Sequence, residues 1–197
     1  MPTPTIVATA GATNANSYAT LVEASAYFDA RLPMSTPWDD NDNKEASLIM
    51  ATRLLDAFFR GSKIVVPPRL RGVAAYYKVG PKWLGTPAST TQSLAWPRTG
   101  LLTQAGGTLS STAIPQEIKD ATCELAGQLA VKDTTLDNAA AALGITAVKA
   151  GPVSVNFADG GILPHPLPDT VLLLVPADWY IEEQVTAAYK VDFAVIP

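Results

Sequence analysis

Apolar residues recur at helical spacing in three stretches of the chain: residues 21–31, 43–59 and 114–132. Positions i, i+3, i+4 and i+7 share one side of a helix, so each stretch predicts a helix with one buried face. The predicted buried faces are Leu21, Ala24, Tyr27 and Phe28; Leu48, Ile49, Thr52, Leu55, Phe58 and Phe59; and Ile118, Ala121, Thr122, Leu125, Ala126 and Leu129. Asp29 and Arg31 fall on the outer side of the first helix.

Capping and turn residues mark the ends of these helices. Thr20 and Glu23 have the spacing of a capping box, in which each side chain binds the other residue's backbone N–H. In the acidic stretch 39–43 we favour a helix cap at Asp42 or Asn43 over a Ca²⁺ loop, which would need a glycine and a later glutamate that are missing. The other signals are Pro33 and Pro37 after the first helix, Gly61 after the second and Pro115 at the start of the third.

Two stretches with β-branched or alternating residues predict β-hairpins. Residues 63–66 and 73–79 form the first hairpin, inside an insertion over residues 62–91. Residues 145–157 form the second, with a kink at Gly151. The insertion also holds three aromatic residues that either meet a partner or cover its own small core, namely Tyr76, Tyr77 and Trp83.

The two ends of the chain predict extended arms. Residues 1–16 carry no charged side chain, and we expect this arm to become ordered against a neighbouring subunit. Asp169 or Thr170 caps a short helix, and the tail over residues 177–197 ends in an alternating apolar stretch. We therefore expect one mainly α domain over residues 1–197. It is a small bundle of three main helices plus a short C-terminal helix, with β-hairpin insertions and extended N- and C-terminal arms.

Residues 92–100 predict a structural anchor between the insertion and the third helix. Pro97 restricts its own backbone and that of Trp96, so this segment places one large aromatic side chain at a defined position. We expect Trp96 to wedge against the first and third helices. Arg98 either donates hydrogen bonds to loop carbonyls or contacts another subunit.

Composition and motifs argue against an enzyme. The 197 residues have a formal net charge of −4, which opposes nucleic-acid binding as the main function, and the longest apolar run is too short to span a membrane. One cysteine and one histidine exclude an intrachain disulfide and a His/Cys metal site. Cys123 reads as a buried structural residue, and we expect no catalytic residue, metal or cofactor.

Four segments, taken in order and spacing, carry a resemblance to a known family. They are Asn16-Ser-Tyr-Ala-Thr-Leu-Val-Glu-Ala24 with Tyr27-Phe28, Lys44-Glu-Ala-Ser-Leu-Ile-Met-Ala-Thr-Arg-Leu-Leu-Asp56, Leu94-Ala-Trp-Pro-Arg98, and Ile114-Pro-Gln-Glu-Ile-Lys-Asp-Ala-Thr-Cys-Glu-Leu-Ala126. The chain resembles the small head–tail connector (adaptor, or head-completion) proteins of tailed double-stranded DNA phages, some of which are labelled automatically as DnaT-like single-stranded DNA-binding proteins. The resemblance covers residues 16–132 and, more loosely, 148–157. The insertion and the tail depart from it.

The resemblance implies a structural virion protein in the neck, assembled in the host cytoplasm. Its expected partners are further copies of itself in a twelve-fold ring, the portal protein, a stopper or tail-completion protein, and double-stranded DNA that passes without sequence specificity; no membrane is expected. The alternative is a single-stranded DNA-binding module. Two residue-level hypotheses follow. The tail residues Tyr189, Val191, Phe193 and Val195 dock on the portal or a neighbouring subunit. The basic residues Arg69, Arg71, Lys78 and Lys82 face the channel or an acidic partner.

Overall fold

The computed structural model describes residues 4–32, 35–61, 63–66, 76–131, 147–150, 153–156 and 167–181. The helices in these residues are α1 (Leu21–Asp29), α2 (Ser35–Asp39), α3 (Lys44–Phe58), α4 (Gln116–Val131) and α5 (Asp169–Leu172), with a 3-10 turn at Ala177–Trp179. The strands are β1 (Lys63–Val66), β2 (Tyr76–Val79), β3 (Lys82–Trp83), β4 (Thr86–Pro87), β5 (Arg98–Thr99), β6 (Ala147–Ala150), β7 (Val153–Asn156) and β8 (Tyr180–Ile181). The described part is mainly α, with small antiparallel sheets.

Helix α4 lies at the centre of the fold. It packs along α3 and also contacts α1, α2 and α5. The sequence predicts one buried face, but every residue from Ala121 to Gly127 is buried. A helix that is surrounded by other elements buries all its sides, and the small side chains of Ala121, Ala126 and Gly127 leave room for close neighbours.

The predicted helix starts are confirmed at α1 and α3. Thr20 is the N-cap of α1, its Oγ1 accepting from the Glu23 backbone N at 3.2 Å while Glu23 Oε2 accepts from the Thr20 N at 2.7 Å. Asn43 is the N-cap of α3, as predicted, but its side chain makes no capping hydrogen bond. Instead Asn41 Oδ1 accepts from the Asn43 backbone N at 2.8 Å, which fixes the turn that leads into α3.

Three predictions about helix boundaries and outer faces are wrong. Pro37 does not close α1, which ends at Asp29, but lies in the first turn of α2, where its missing N–H removes no helical hydrogen bond. The N-cap of α5 is Pro168, so Asp169 stands in the first turn instead of capping it. Arg31 does not point outward, because it pairs with the buried Glu124 of α4.

Both predicted hairpins are confirmed as antiparallel pairs. β1 pairs with β2 from Lys63 opposite Val79 to Val66 opposite Tyr76, and β6 pairs with β7 from Ala147 opposite Asn156 to Ala150 opposite Val153. Of two shorter pairs, β3 with β8 ties residues 82–83 to the C-terminal part of the described chain, and β4 with β5 closes the loop between residues 86 and 99.

The N-terminal arm packs on its own subunit, which corrects the prediction of order against a neighbour. Asn16 Oδ1 accepts from the Val7 backbone N at 2.8 Å, and the Asn16 N donates to Val7 O at 2.9 Å. The Ser93 backbone N donates to Ala12 O at 3.2 Å, and Ile6 packs against the hydrophobic core. The end of the arm, at Ala12 and Ala15, therefore lies against the segment that contains Trp96.

Candidate functional surfaces

Trp96 lies in a buried aromatic cluster and is 1% exposed. Its ring centroid is 5.3 Å from that of Trp83 and 5.2 Å from that of Trp179, and Trp83 stacks on Phe59 at 3.9 Å. Trp83, left open between a partner surface and the chain's own core, belongs to the core. These aromatic neighbours come from β3 and the 3-10 turn, so Trp96 holds the β3–β8 pair to the core; its wedging against α1 and α4 stays a prediction.

Arg98 makes structural hydrogen bonds, the first of its two predicted roles. It is 7% exposed, and its guanidinium donates to Leu84 O at 2.7 Å, Gly85 O at 2.8 Å and Ala95 O at 3.0 Å. Burial lowers the pKa of this side chain. The preceding Trp96–Pro97 peptide bond is cis. Because its donors are turned toward these three carbonyls, the geometry does not present Arg98 to a partner, and a subunit contact stays a prediction.

A second polar group, the Asp56 network, joins three parts of the chain. The Tyr18 hydroxyl donates to the Asp56 carboxylate, which also accepts from the Ala95 backbone N at 3.1 Å. The Trp96 N donates to the Tyr18 hydroxyl oxygen at 3.3 Å. Burial raises the pKa of Asp56 despite these donors, and burial together with the nearby carboxylate raises the pKa of Tyr18. Within the described residues Asp56 forms no ion pair.

The Glu124 network joins α1, α4 and α5. Glu124 is 3% exposed and accepts two hydrogen bonds from the Arg31 guanidinium. Nε donates to Oε2 and Nη2 donates to Oε1, each at 2.7 Å. The Tyr27 hydroxyl donates to Oε2 at 3.0 Å, and Gln128 donates to Oε1 at 3.1 Å and to Thr170 Oγ1 at 2.8 Å. Arg31 lowers the pKa of Glu124 below its usual range. This charged pair stabilises the subunit interior.

Few of the predicted partner-facing residues fall in the described part of the chain. Lys82 is exposed in β3, and Lys78 stands opposite Ile64 in the β1–β2 register. The other predicted residues, Arg69, Arg71, Tyr189, Val191, Phe193 and Val195, lie outside the described residues.

Two exposed cations beside Lys82 are missed by motif reasoning. Arg53 is exposed in the second half of α3, and Arg60 is exposed two residues after the helix ends at Phe58. Arg60 is bridged across an antiparallel β-contact to Lys82, and both are exposed. We call Arg53, Arg60 and Lys82 the basic surface.

The charge distribution along the chain is the signal that points to these residues. Residues 46–116 hold eight of the 14 Lys and Arg residues but one of the 18 Asp and Glu residues. This stretch has a formal charge of +7, and the rest of the chain has −11. The single acid is Asp56, whose carboxylate accepts from the Tyr18 hydroxyl. Of the cations, Arg98 is turned inward and donates to the Leu84 carbonyl. The net charge of −4 therefore conceals two oppositely charged parts.

An open pocket and the one thiol of the chain are the features of the described residues that bear on catalysis. An open pocket of about 570 Å³ lies between the loops near Leu84 and Leu102 and the 3-10 turn at Trp179, with Asp178 as its only charged lining residue. Burial raises the pKa of the Cys123 thiol to about 12, so it stays protonated at neutral pH. Among these residues no cluster of three or more metal-ligating side chains occurs.

In the part of the chain that the structure describes, no helix has both the length and the apolar character needed to cross a membrane.

No curated protein and no solved structure matches the chain. A family model with the description "Putative DnaT-like ssDNA binding protein" matches residues 4–70 and 66–170. These matches extend over most of the sequence and contain α1 to α4 and the Trp96 segment, so the chain belongs to this DnaT-like family.

Proposed function

We propose that this protein is a structural head–tail connector of a tailed double-stranded DNA phage. Twelve copies form a ring beneath the portal, extend the DNA channel, and offer a surface to a stopper or tail-completion protein. The subunit is a helical bundle around α4, and its position in the virion is the neck. DNA passes through the ring without sequence-specific contacts.

The main support is that the four segments carrying the family resemblance form one structural unit. Tyr18 of the first segment hydrogen-bonds Asp56 of the second, and Asp56 accepts from Ala95 of the third. Lys119 of the fourth segment pairs with Glu23 of the first. Residues far apart in sequence thus belong to one polar framework, which is expected when a motif preserves a building block.

A single-stranded DNA-binding module is the second candidate, favoured by the family's description and by the positive charge of residues 46–116. Proteins of this type stack bases on exposed aromatic side chains beside cations. All four tryptophans of this chain are buried, namely Trp38, Trp83, Trp96 and Trp179. The tryptophans of this subunit therefore cannot stack on bases, which favours the connector proposal over the DNA-binding module.

Purified particles of the phage that encodes this chain test the proposal. We expect the protein in the virion at a copy number equal to that of the portal. Its deletion should yield DNA-filled heads without tails, and the wild-type chain supplied in trans should restore infectious particles. Absence from mature virions would contradict the connector function.

The apolar alternation of the tail predicts an attachment role. Deleting residues 191–197 removes Val191, Phe193 and Val195, and we expect this truncation to leave the thermal melting curve unchanged while abolishing binding to the portal. Replacing these three residues with serine at full length is the matched control for chain length. Portal binding that survives both changes would contradict a docking role for the tail.

Filter binding with an oligonucleotide separates the two candidates. Phosphate contacts make affinity fall steeply as salt concentration rises, roughly in proportion to the number of contacts. The connector proposal predicts weak binding with a shallow dependence on salt. Tight binding with a steep dependence, in a protein absent from virions, would favour the DNA-binding module.

A further inference from the structure

We propose that the basic surface of one subunit docks on an acidic surface of the next subunit, so that copies of this chain associate head to tail. The acidic surface consists of Asp39, Asp40 and Asp42, which precede α3. The biological meaning of this contact rests on the proposed ring, but the contact itself concerns only two copies of this chain.

The side chains of the basic surface form no ion pair in the described residues, although the charge of Arg60 acts on nearby Asp56 and opposes the rise in the pKa of that carboxyl. Arg53 lies in α3, and Arg60 follows the last helical residue, Phe58, by two positions. Lys82 stands directly opposite Arg60 in the β-bridge. Like charges at directly opposed strand positions destabilise a fold. The placement is therefore unfavourable for the isolated subunit, and an approaching anionic group would relieve it.

The acidic surface lies at the other end of the same helix. Asp39, Asp40 and Asp42 are all exposed and form no ion pair in the described residues. The nearest cation in sequence, Lys44, directs its Nζ to the backbone carbonyl of Asp39 at 3.0 Å and not to a carboxylate. The three carboxylates thus remain available to a cation from elsewhere.

The length of α3 keeps the two surfaces apart within one subunit. Counted from the N-cap Asn43, the rise of α3 places Arg53 about 15 Å away and the end of the helix about 22 Å away, which exceeds the reach of a salt bridge and is about two or more screening lengths at physiological salt. The opposite charges therefore cannot neutralise each other internally. A second copy brings the acidic end of its α3 to the basic end of the first, which neutralises both.

The helix dipole explains only part of this pattern. Carboxylates near the start of a helix and cations near its end each stabilise the helix by about 0.3–1 kcal/mol. The dipole does not account for Lys82, which belongs to β3 and lies outside the helix. A partner surface accounts for all three cations together.

A second copy fits these surfaces better than a nucleic acid does. The chain itself carries the complementary charge, with −11 outside residues 46–116. A contact between two different patches occupies one patch on each copy and leaves the other patch free for a further copy, so it produces a closed ring or an open filament and not a twofold dimer. The proposed connector ring requires contacts of this type.

Charge reversal on each surface tests the contact by mixing. One variant is Arg53→Glu with Arg60→Glu, and the other is Asp39→Lys, Asp40→Lys and Asp42→Lys. Each variant alone meets like charge at the contact, whereas the equimolar mixture offers opposite charges on both surfaces. Sedimentation velocity of the full chain at high concentration and low salt measures association. Circular dichroism checks folding, and Arg53→Lys with Arg60→Lys is the matched control that retains the charge.

We expect association of the wild type and the lysine control, at least about a tenfold weaker self-association of each reversed variant, and recovery in the mixture. If a reversed variant unfolds, the glutamine and asparagine versions of the same positions replace the reversals, and each should show the same weakening. A wild type that stays monomeric, or variants that associate as the wild type does, would overturn the proposal. So would loss of oligonucleotide binding by Arg53→Glu with Arg60→Glu while self-association is unchanged. None of these results decides whether the protein is in the virion, so the connector function stands or falls separately.

Discussion

The Asp56 network and the Glu124 network both hold a carboxylate at the core of the subunit, but they compensate its charge differently. Asp56 accepts from a hydroxyl and a backbone N–H, both neutral donors. Glu124 accepts from a guanidinium at two oxygens. The pKa of Asp56 is raised by burial, whereas that of Glu124 is lowered by Arg31. The neutral donors, together with the charges of Arg60 and Arg98 nearby, do not offset the loss of hydration at Asp56. A directly paired cation does so at Glu124.

This difference separates two sources of stability. The Asp56 network is surrounded by Trp96 and Arg98, so its geometry depends on packing and on hydrogen bonds to carbonyls. The Glu124 network depends on one ion pair that is partly open to water, since the Arg31 side chain is 33% exposed. Changes that remove volume should therefore act most strongly near Asp56, and changes of charge should act most clearly near Glu124.

Trp96→Ala should have the largest effect. It removes a fully buried indole from between Trp83 and Trp179, and truncations of this size cost about 3–5 kcal/mol. Urea denaturation measures the loss, and Leu173→Ala, at a side chain that is 84% exposed, is the control that should change little. A Trp96→Ala protein as stable as the wild type would mean that the tryptophan contributes to a partner contact instead.

Arg98→Lys should cause the next largest loss of stability, and this loss should exceed that of Arg31→Lys. A lysine ammonium cannot reproduce the fork that reaches the carbonyls of Leu84, Gly85 and Ala95, and each carbonyl left without a donor costs about 1–3 kcal/mol. Arg31→Lys keeps the positive charge near Glu124. Because this site is partly open to water, water can replace a lost hydrogen bond, so we expect a loss of stability of about 1 kcal/mol. Equal losses in urea denaturation of the two variants would contradict the distinction between the two environments.

Local patterns in the sequence are sufficient to predict the three main helices, α5 and the two hairpins, but not α2 or the short strand pairs β3–β8 and β4–β5. The capping box at Thr20 and Glu23 begins α1, and the apolar spacing that ends near Phe59 delimits α3. The two hairpins follow from short β-branched runs around Gly and Pro residues. Each of these signals depends on neighbours within a few residues, where backbone preferences decide the structure.

Contacts between distant residues cannot be predicted in this way. Arg31 and Glu124 are 93 positions apart, and nothing near Arg31 indicates that a carboxylate lies beside it. Trp83 joins the core through Phe59 and Trp96, which come from other elements. The basic surface is different, because the excess of positive charge in residues 46–116 is visible in the sequence once charges are counted by region. The position of Lys82 beside Arg60, however, follows from the β-bridge between them and not from the sequence.

The pH dependence of stability should separate the two carboxylates by sign, with the smallest effects of the three. The folded pKa of Glu124 is below its ordinary value of 4.5, so its contribution is complete above that pH and is lost as the pH falls through the folded pKa. The folded pKa of Asp56 is above 3.8, so its contribution is complete below that pH and is lost as the pH rises through the folded pKa.

Asp56→Asn and Glu124→Gln isolate these contributions, because each removes one titration and keeps the shape of the side chain. As the pH falls from neutral, the wild type should gain stability relative to Asp56→Asn, and below pH 4.5 it should lose stability relative to Glu124→Gln. Each difference changes by at most about 1.4 kcal/mol per pH unit, since one proton is involved. Urea midpoints measured at a series of pH values give both curves. Curves that slope in the same direction would mean that the two carboxylates are compensated alike, and the contrast between neutral donors and a paired cation would then be wrong.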